Sequence, residues 1–150
     1  MMIFKELNLE NLDEVLGLYV ESFNAPPWND KWTEEIVKKR LKQMLSCEGS
    51  YGLVCFEDTK AVGMILGNHE YSYDCMDFQI KEFCVDHNEK GKGIGKRLLE
   101  KFSNNLSYRG IENIYLYTSR TDKTEGFYVK NGYKVVDDMI MMDKNITKDI

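Results

Sequence analysis

Residues 78–99, FQIKEFCVDHNEKGKGIGKRLL, constrain the fold more than any other stretch of the chain. An alternating apolar run through Ile80, Phe83 and Val85 predicts a strand, and the polar Asp86-His87-Asn88-Glu89 ends it. Glycines follow at alternate positions, Gly91, Gly93 and Gly95, and then Ile94, Leu98, Phe102 and Leu106 recur at helical spacing. The order strand, glycine-rich turn, helix suits an anion. The first N–H groups of a helix lack internal partners, the peptide dipoles add positive charge there, and glycines let the backbone approach closely. Lys90, Lys92, Lys96 and Arg97 crowd the same end, where the macrodipole disfavours cations, and a bound polyanion would reverse that cost.

The turn fits neither common nucleotide pattern. A Rossmann fingerprint needs glycine where Lys96 stands; a P-loop needs glycine at Lys90 and Ser or Thr at Arg97. Instead, Lys90-Gly91-Lys92-Gly93-Ile94-Gly95 resembles the acetyl-CoA-binding motif of the GNAT acetyltransferases, (Arg/Gln)-x-x-Gly-x-(Gly/Ala). Lys90 stands where that family usually has Arg or Gln; it keeps a donor and a charge without the planar fork.

The rest of the chain reads as one compact domain, residues 1–150, its 43% hydrophobic content sufficient for a core. Met2–Leu7 predicts a strand. Asn8 or Asn11 caps a helix with the stripe Leu12, Val15, Leu16, Tyr19, Val20 and Phe23, which the prolines of NAPPWNDKW (24–32) break. Thr33 caps a second helix whose Val37, Leu41, Met44 and Leu45 face inward. Ser50–Glu57 and Ala61–Tyr73 form a hairpin about Asp58-Thr59-Lys60. Beyond the glycine turn and its helix, which Gly110 stops, Glu112–Thr118 is a strand, and Thr121 or Asp122 caps a short helix ending at Asn131-Gly132. Tyr133–Met142 is a last strand and Lys144–Ile150 a polar tail. This order predicts an α/β fold, a central mixed sheet covered by helices on both faces, and it resembles the GNAT acyl-CoA N-acyltransferase fold.

A second motif, GFYVKNGY at 126–133, resembles the family's C-terminal aromatic-Tyr-x-x-x-Gly-(Phe/Tyr) signature. The resemblance implies that Tyr128 is the general acid that protonates the leaving thiolate. It also implies that a main-chain N–H near Cys84 and Val85 polarises the thioester, and that the strand carrying them splays to pair with the pantetheine arm. Thr121 stands where the family often has a cofactor-touching Asn. Glu82 is the candidate base: alternation puts it on one face with Ile80 and Cys84, opposite Phe83 and Val85, and other family members use an acidic residue on this strand. His69, Glu70, Asp77 and His87 are secondary candidates.

The expected reaction is transfer of acetyl from acetyl-CoA to the primary amine of a small molecule. A protein or peptide acceptor, or a non-catalytic acyl-CoA-binding module, are the alternatives. Pro26-Pro27-Trp28 and Trp32, with Glu70, Asp74 and Asp77, would frame an acceptor site suited to a cationic amine. No metal site is expected, because Cys47, Cys55, Cys75 and Cys84 show neither a CxxC pair nor zinc-like histidine spacing. The net charge of −5 argues against nucleic acid as the main partner. Without an apolar run of about 20 residues or a signal peptide, no membrane is expected and a cytoplasmic monomer or homodimer is.

Overall fold

The computed structural model describes residues 1–147. It divides into two compact units, one of Met1–Tyr117 and one that begins at Thr118. The first contains strands β1 (Met2–Glu6), β2 (Ser50–Glu57), β3 (Lys60–Tyr71), β4 (Met76–Val85) and β5 (Asn113–Leu116), with helices α1 (Leu16–Asn24), α2 (Glu34–Leu45) and α3 (Ile94–Tyr108). A 3₁₀ turn, Leu12–Val15, leads into α1. The strands form one five-stranded mixed sheet in the order β1-β2-β3-β4-β5. Every pair is antiparallel except β4 with β5, which α3 connects as a parallel crossover.

Each face of the sheet has its own core. Leu12, Val15, Leu16 and Tyr19 of the first helical segment and Val37 and Leu41 of α2 pack on Val54, Phe56, Ala61, Met64, Leu66 and Cys84. Thr33 caps α2 as expected, its Oγ1 accepting from Ile36 N at 3.4 Å. Helix α3 covers the opposite face: Phe102 stacks on Tyr51 at 5.2 Å and meets Phe78 edge-on at 5.3 Å. Its Ile94, Leu98, Phe102 and Leu106, the residues at helical spacing in the sequence, are all buried.

Strand β4 contributes to both cores because it is bulged. Leu66 lies opposite Glu82, but Gly67 lies opposite Ile80, so Lys81 is an extra residue. On one side of the bulge Phe78 faces α3; on the other, Cys84 belongs to the α1–α2 core and Glu82 reaches Arg40 of α2. The expected common face for Ile80 and Glu82 is therefore corrected. Plain alternation assumes a period of two, and the inserted Lys81 breaks it. Gly67 makes the bulge possible: a Cβ there would stand 1.9 Å from the carbonyl oxygen of Gln79 and 2.7 Å from the Phe78 ring.

In the second unit, α4 (Glu125–Lys130) is a short helix. Gly132, at φ 92°, turns the chain so that Tyr133 N bonds back to Tyr128 O at 3.0 Å. The last strand expected over Tyr133–Met142 is not formed. Val135, Val136, Met139, Ile140, Met141 and Met142 are exposed, and an extended segment needs a neighbouring strand to satisfy its backbone. The expected polar tail lies partly outside the described residues, which end at Thr147.

Gly67→Ala is expected to lower the unfolding free energy by about 2 kcal/mol or more, because backbone cannot yield as a flexible side chain does. Urea denaturation measures it, and a midpoint equal to wild type would show that the close approach to Gln79 is not required.

Candidate active site

The α1–α2 side of β4 carries a buried polar cluster. Glu82 is only 5% exposed, and its Oε1 accepts from Arg40 Nε at 2.6 Å. The Tyr19 phenol lies close enough to interact electrostatically with both Glu82 and Arg40. Tyr19 meets Trp32 edge-on at 5.3 Å, and the Arg40 guanidinium lies 5.4 Å from the Trp32 ring centre. Asn24 fixes Trp32 at the end of α1: its Oδ1 accepts from Trp32 N at 2.8 Å and its Nδ2 donates to Trp32 O at 2.9 Å. Trp32 is thus packing and wall at once, while Trp28 is more exposed and touches Phe23.

Burial raises the Glu82 carboxyl above the usual carboxylate range; the charge and hydrogen bond of Arg40 oppose that rise without cancelling it. Burial, then the Glu82 charge, pushes the Tyr19 phenol up, so it stays protonated. Burial also drives the Cys84 thiol up to about 12, which removes it as a nucleophile near neutral pH.

The sequence singles out Glu82 as a candidate but not the side chains that the fold sets against it. Arg40 follows Val37 by three residues and precedes Met44 by four, so it falls on the inward stripe of α2. An arginine there was the available signal. Tyr19 looked like an ordinary member of the apolar stripe of α1.

Further along β4, the pairing with β5 ends at Ile80 opposite Leu116, while β4 runs on to Val85. The β4–β5 ladder thus covers only Asp77–Ile80, and Cys84 and Val85 lie beyond its end. Asp86 then turns the chain. It is buried, its Oδ1 accepts from Asn88 N at 2.9 Å, and its Oδ2 lies 3.0 Å from Lys60 Nζ without hydrogen-bond alignment.

The glycine turn has the shape that the sequence predicts. Gly91 and Gly93 take φ values of 87° and 76°, and no side chain caps α3. Among the described residues, no protein acceptor takes the amides of Gly91, Gly93, Ile94, Gly95 or Lys96; the first helical bond runs from Arg97 N to Gly93 O at 3.0 Å. Lys92 pairs with Glu89 at 2.7 Å, whereas Lys90 and Lys96 form no ion pair among the described residues. Nothing stands within 4 Å of the position a Cβ would take on Gly91 or Gly93, so the approach is open. Unpartnered amides beside unpaired cations are the donor set a diphosphate requires.

In the second unit, Tyr128 packs against Phe127 and Tyr133, with ring centres at 5.3 and 5.5 Å. Burial, then the neighbouring Tyr133, raises its phenol above the ordinary value, so it holds its proton at neutral pH. Thr121 Oγ1 accepts from Thr124 N at 3.2 Å and lies 2.8 Å from Thr124 Oγ1, ordering the turn before α4.

The family model described as an acetyltransferase (GNAT) domain matches residues 12–147, and the chain belongs to that family. No curated protein matches the sequence. Solved structures show the same fold at low identity. A possible acetyltransferase from Clostridium difficile superposes with a TM-score of 0.79 at 18% identity, covering 99% of both chains. An aminoglycoside acetyltransferase from an uncultured soil metagenomic sample, in complex with trehalose, gives 0.76 at 17%, covering 97% of each. A ribosomal-protein-alanine N-acetyltransferase from Brucella melitensis gives 0.76 at 16%, covering 95% of this chain and 99% of that one.

Asp86→Ala removes the acceptor that shapes the entry to the glycine turn, and about 1 kcal/mol of stability is expected to go with it. Burial raises the Asp86 carboxyl, but the Asn88 amide and Lys60 outweigh burial, so its pKa is net lowered. A lowered carboxyl stabilises above the unfolded-state pKa and loses that contribution as pH falls through the folded one. Denaturation midpoints of wild type and variant should therefore converge on acidification; a gap that is constant with pH would assign the loss to packing.

Proposed function

We propose that the protein, acting as a single GNAT domain over residues 1–150, is an N-acetyltransferase that moves acetyl from acetyl-CoA to the primary amine of a small molecule by direct attack. The observation that carries this reading is the row of unpartnered amides at the start of α3, flanked by Lys90 and Lys96. Gly91 to Lys96 would hold the diphosphate, and the backbone of Cys84 and Val85, beyond the end of the β4–β5 ladder, would take the pantetheine amides. The aminoglycoside-acetylating neighbour supports a small acceptor; the ribosomal-protein neighbour is why a peptide belongs among the acceptors tested.

In this reading the amine nitrogen bonds to the thioester carbon and the C–S bond breaks. The displaced sulfur takes a proton from Tyr128, and the nitrogen gives its proton to Glu82, directly or through water. A main-chain N–H at Cys84 or Val85 steadies the developing oxyanion. The ion pair with Arg40 keeps the base ionised, while its raised pKa brings it closer to that of an ammonium. Thr121 would border the cofactor through its ordered turn.

Coenzyme A and acetyl-CoA should raise the melting temperature, whereas NAD and ATP should not; no shift at saturating coenzyme A would remove the reading. Tyr128→Phe and Glu82→Gln should each lower kcat in a thiol-release assay by about 10²-fold or more with coenzyme A binding retained. Because Glu82 must be ionised and its pKa is raised, kcat/KM should fall on the acid side at a pH above the ordinary carboxylate range. An acid limb that stays in place in Glu82→Gln would take the base role from Glu82.

A further inference from the structure

The charge of the Glu82 cluster constrains the acceptor. Among the described residues Glu82 forms its ion pair with Arg40, so base and guanidinium make a formally neutral pair. An amine that offers only positive charge meets no net attraction there, and it must approach a guanidinium of its own sign. The pair is also asymmetric. Glu82 is 5% exposed and Arg40 is 40% exposed, so Arg40 is the more accessible of the two.

Arg40 has capacity beyond the pair. Its hydrogen bond to Glu82 runs through Nε, which does not use the terminal Nη groups. The Tyr19 hydroxyl can accept from the guanidinium, but one carboxylate oxygen and one hydroxyl cannot take up all its N–H donors. Trp32 lies 5.4 Å from the guanidinium and is itself fastened by Asn24, so Arg40 is restrained on a ring and by an ion pair. A restrained, half-exposed guanidinium with donors to spare is the arrangement that recognises a planar anion by a fork.

We propose that the acceptor is an amino-acid-type molecule, an amine that also carries a carboxylate, and that Arg40 is the residue selecting it. This rests on the acetyltransferase reading above and names the substrate class of the same site. The acceptor's carboxylate takes the donors that Glu82 leaves, while its amine is directed to Glu82. A carboxylate also balances the charge of Arg40 when the ammonium arrives, which a polyamine or an aminoglycoside cannot do. Arg40 is a specificity residue here and handles no proton.

The test is a thiol-release assay with acetyl-CoA on matched acceptors: free α-amino acids against their α-carboxamides, with spermidine and an aminoglycoside as amines lacking a carboxylate. The acceptor with the highest kcat/KM should be a free acid, exceeding its carboxamide by about tenfold or more, as the loss of one charge-assisted contact implies. Arg40→Gln also removes the charge that opposes the burial of Glu82, so kcat should fall for every acceptor alike; the acid-to-carboxamide ratio should still collapse toward unity through KM of the acid, and Arg40→Lys should restore part of it. A preferred acceptor without a carboxylate, or an acid-to-carboxamide ratio unchanged in Arg40→Gln, overturns the proposal. The wild-type ratio alone decides it should the variants fold poorly. Failure of the underlying reading is distinguishable: no thiol would be released with any acceptor, and coenzyme A would give no thermal shift.

Discussion

The absence of a side chain at Gly67 is the constraint on which the arrangement of β4 depends. It lets β3 approach the Gln79 carbonyl, and the bulge at Lys81 sits against that approach. A regular strand would put Phe78, Ile80, Glu82 and Cys84 on one face. The bulged strand gives Phe78 to the α3 core and Glu82 and Cys84 to the α1–α2 core. One inserted residue thereby separates the part of β4 that packs under α3 from the part that carries the buried Glu82–Arg40 pair. The change falls where pairing with β5 stops, at Ile80, so face and edge partner change together.

The consequence is a carboxylate buried against two helices, which needs a partner. Arg40 supplies it, and Tyr19 and Trp32 enclose the pair. Burial without Arg40 would neutralise Glu82 by shifting its pKa much further; Arg40 without burial would leave an ordinary surface ion pair of little consequence. Together they hold a carboxylate paired with a cation and still more basic than one in water. The glycine turn follows the opposite rule. There the protein leaves donors unsatisfied and cations unpaired, a cost that only an anionic ligand removes.

Much of this was legible in the sequence because it depends on local rules. Alternation, helical spacing and glycine placement gave β2, α3 and the turn at Gly91–Gly95, and Thr33 announced the start of α2. What escaped depends on tertiary contact. The bulge at Lys81 has no mark of its own, since Ile80 and Glu82 keep the spacing of a regular strand. The segment Tyr133–Met142 has the apolar and β-branched content of a strand, but content alone cannot supply a neighbour, and its apolar side chains are exposed. The Glu82–Arg40 pair spans β4 and α2, and nothing in either segment names the other.

The pairing also changes what a nearby acidic charge means. From composition and loop residues, the acid-rich chain and Glu70, Asp74 and Asp77 suggest a site that rewards positive charge. Yet those residues are exposed or half-buried near the β3–β4 turn, where water screens them. In the proposed reaction the charge that would act on an acceptor at Glu82 is the one shielded from water, and there Arg40 cancels it. Discrimination between amines then turns less on how many positive charges an acceptor carries than on whether it brings an anion to answer the guanidinium. Net charge describes the whole molecule at a distance; a buried neutral pair with spare donors acts at the few ångströms over which an amine is chosen.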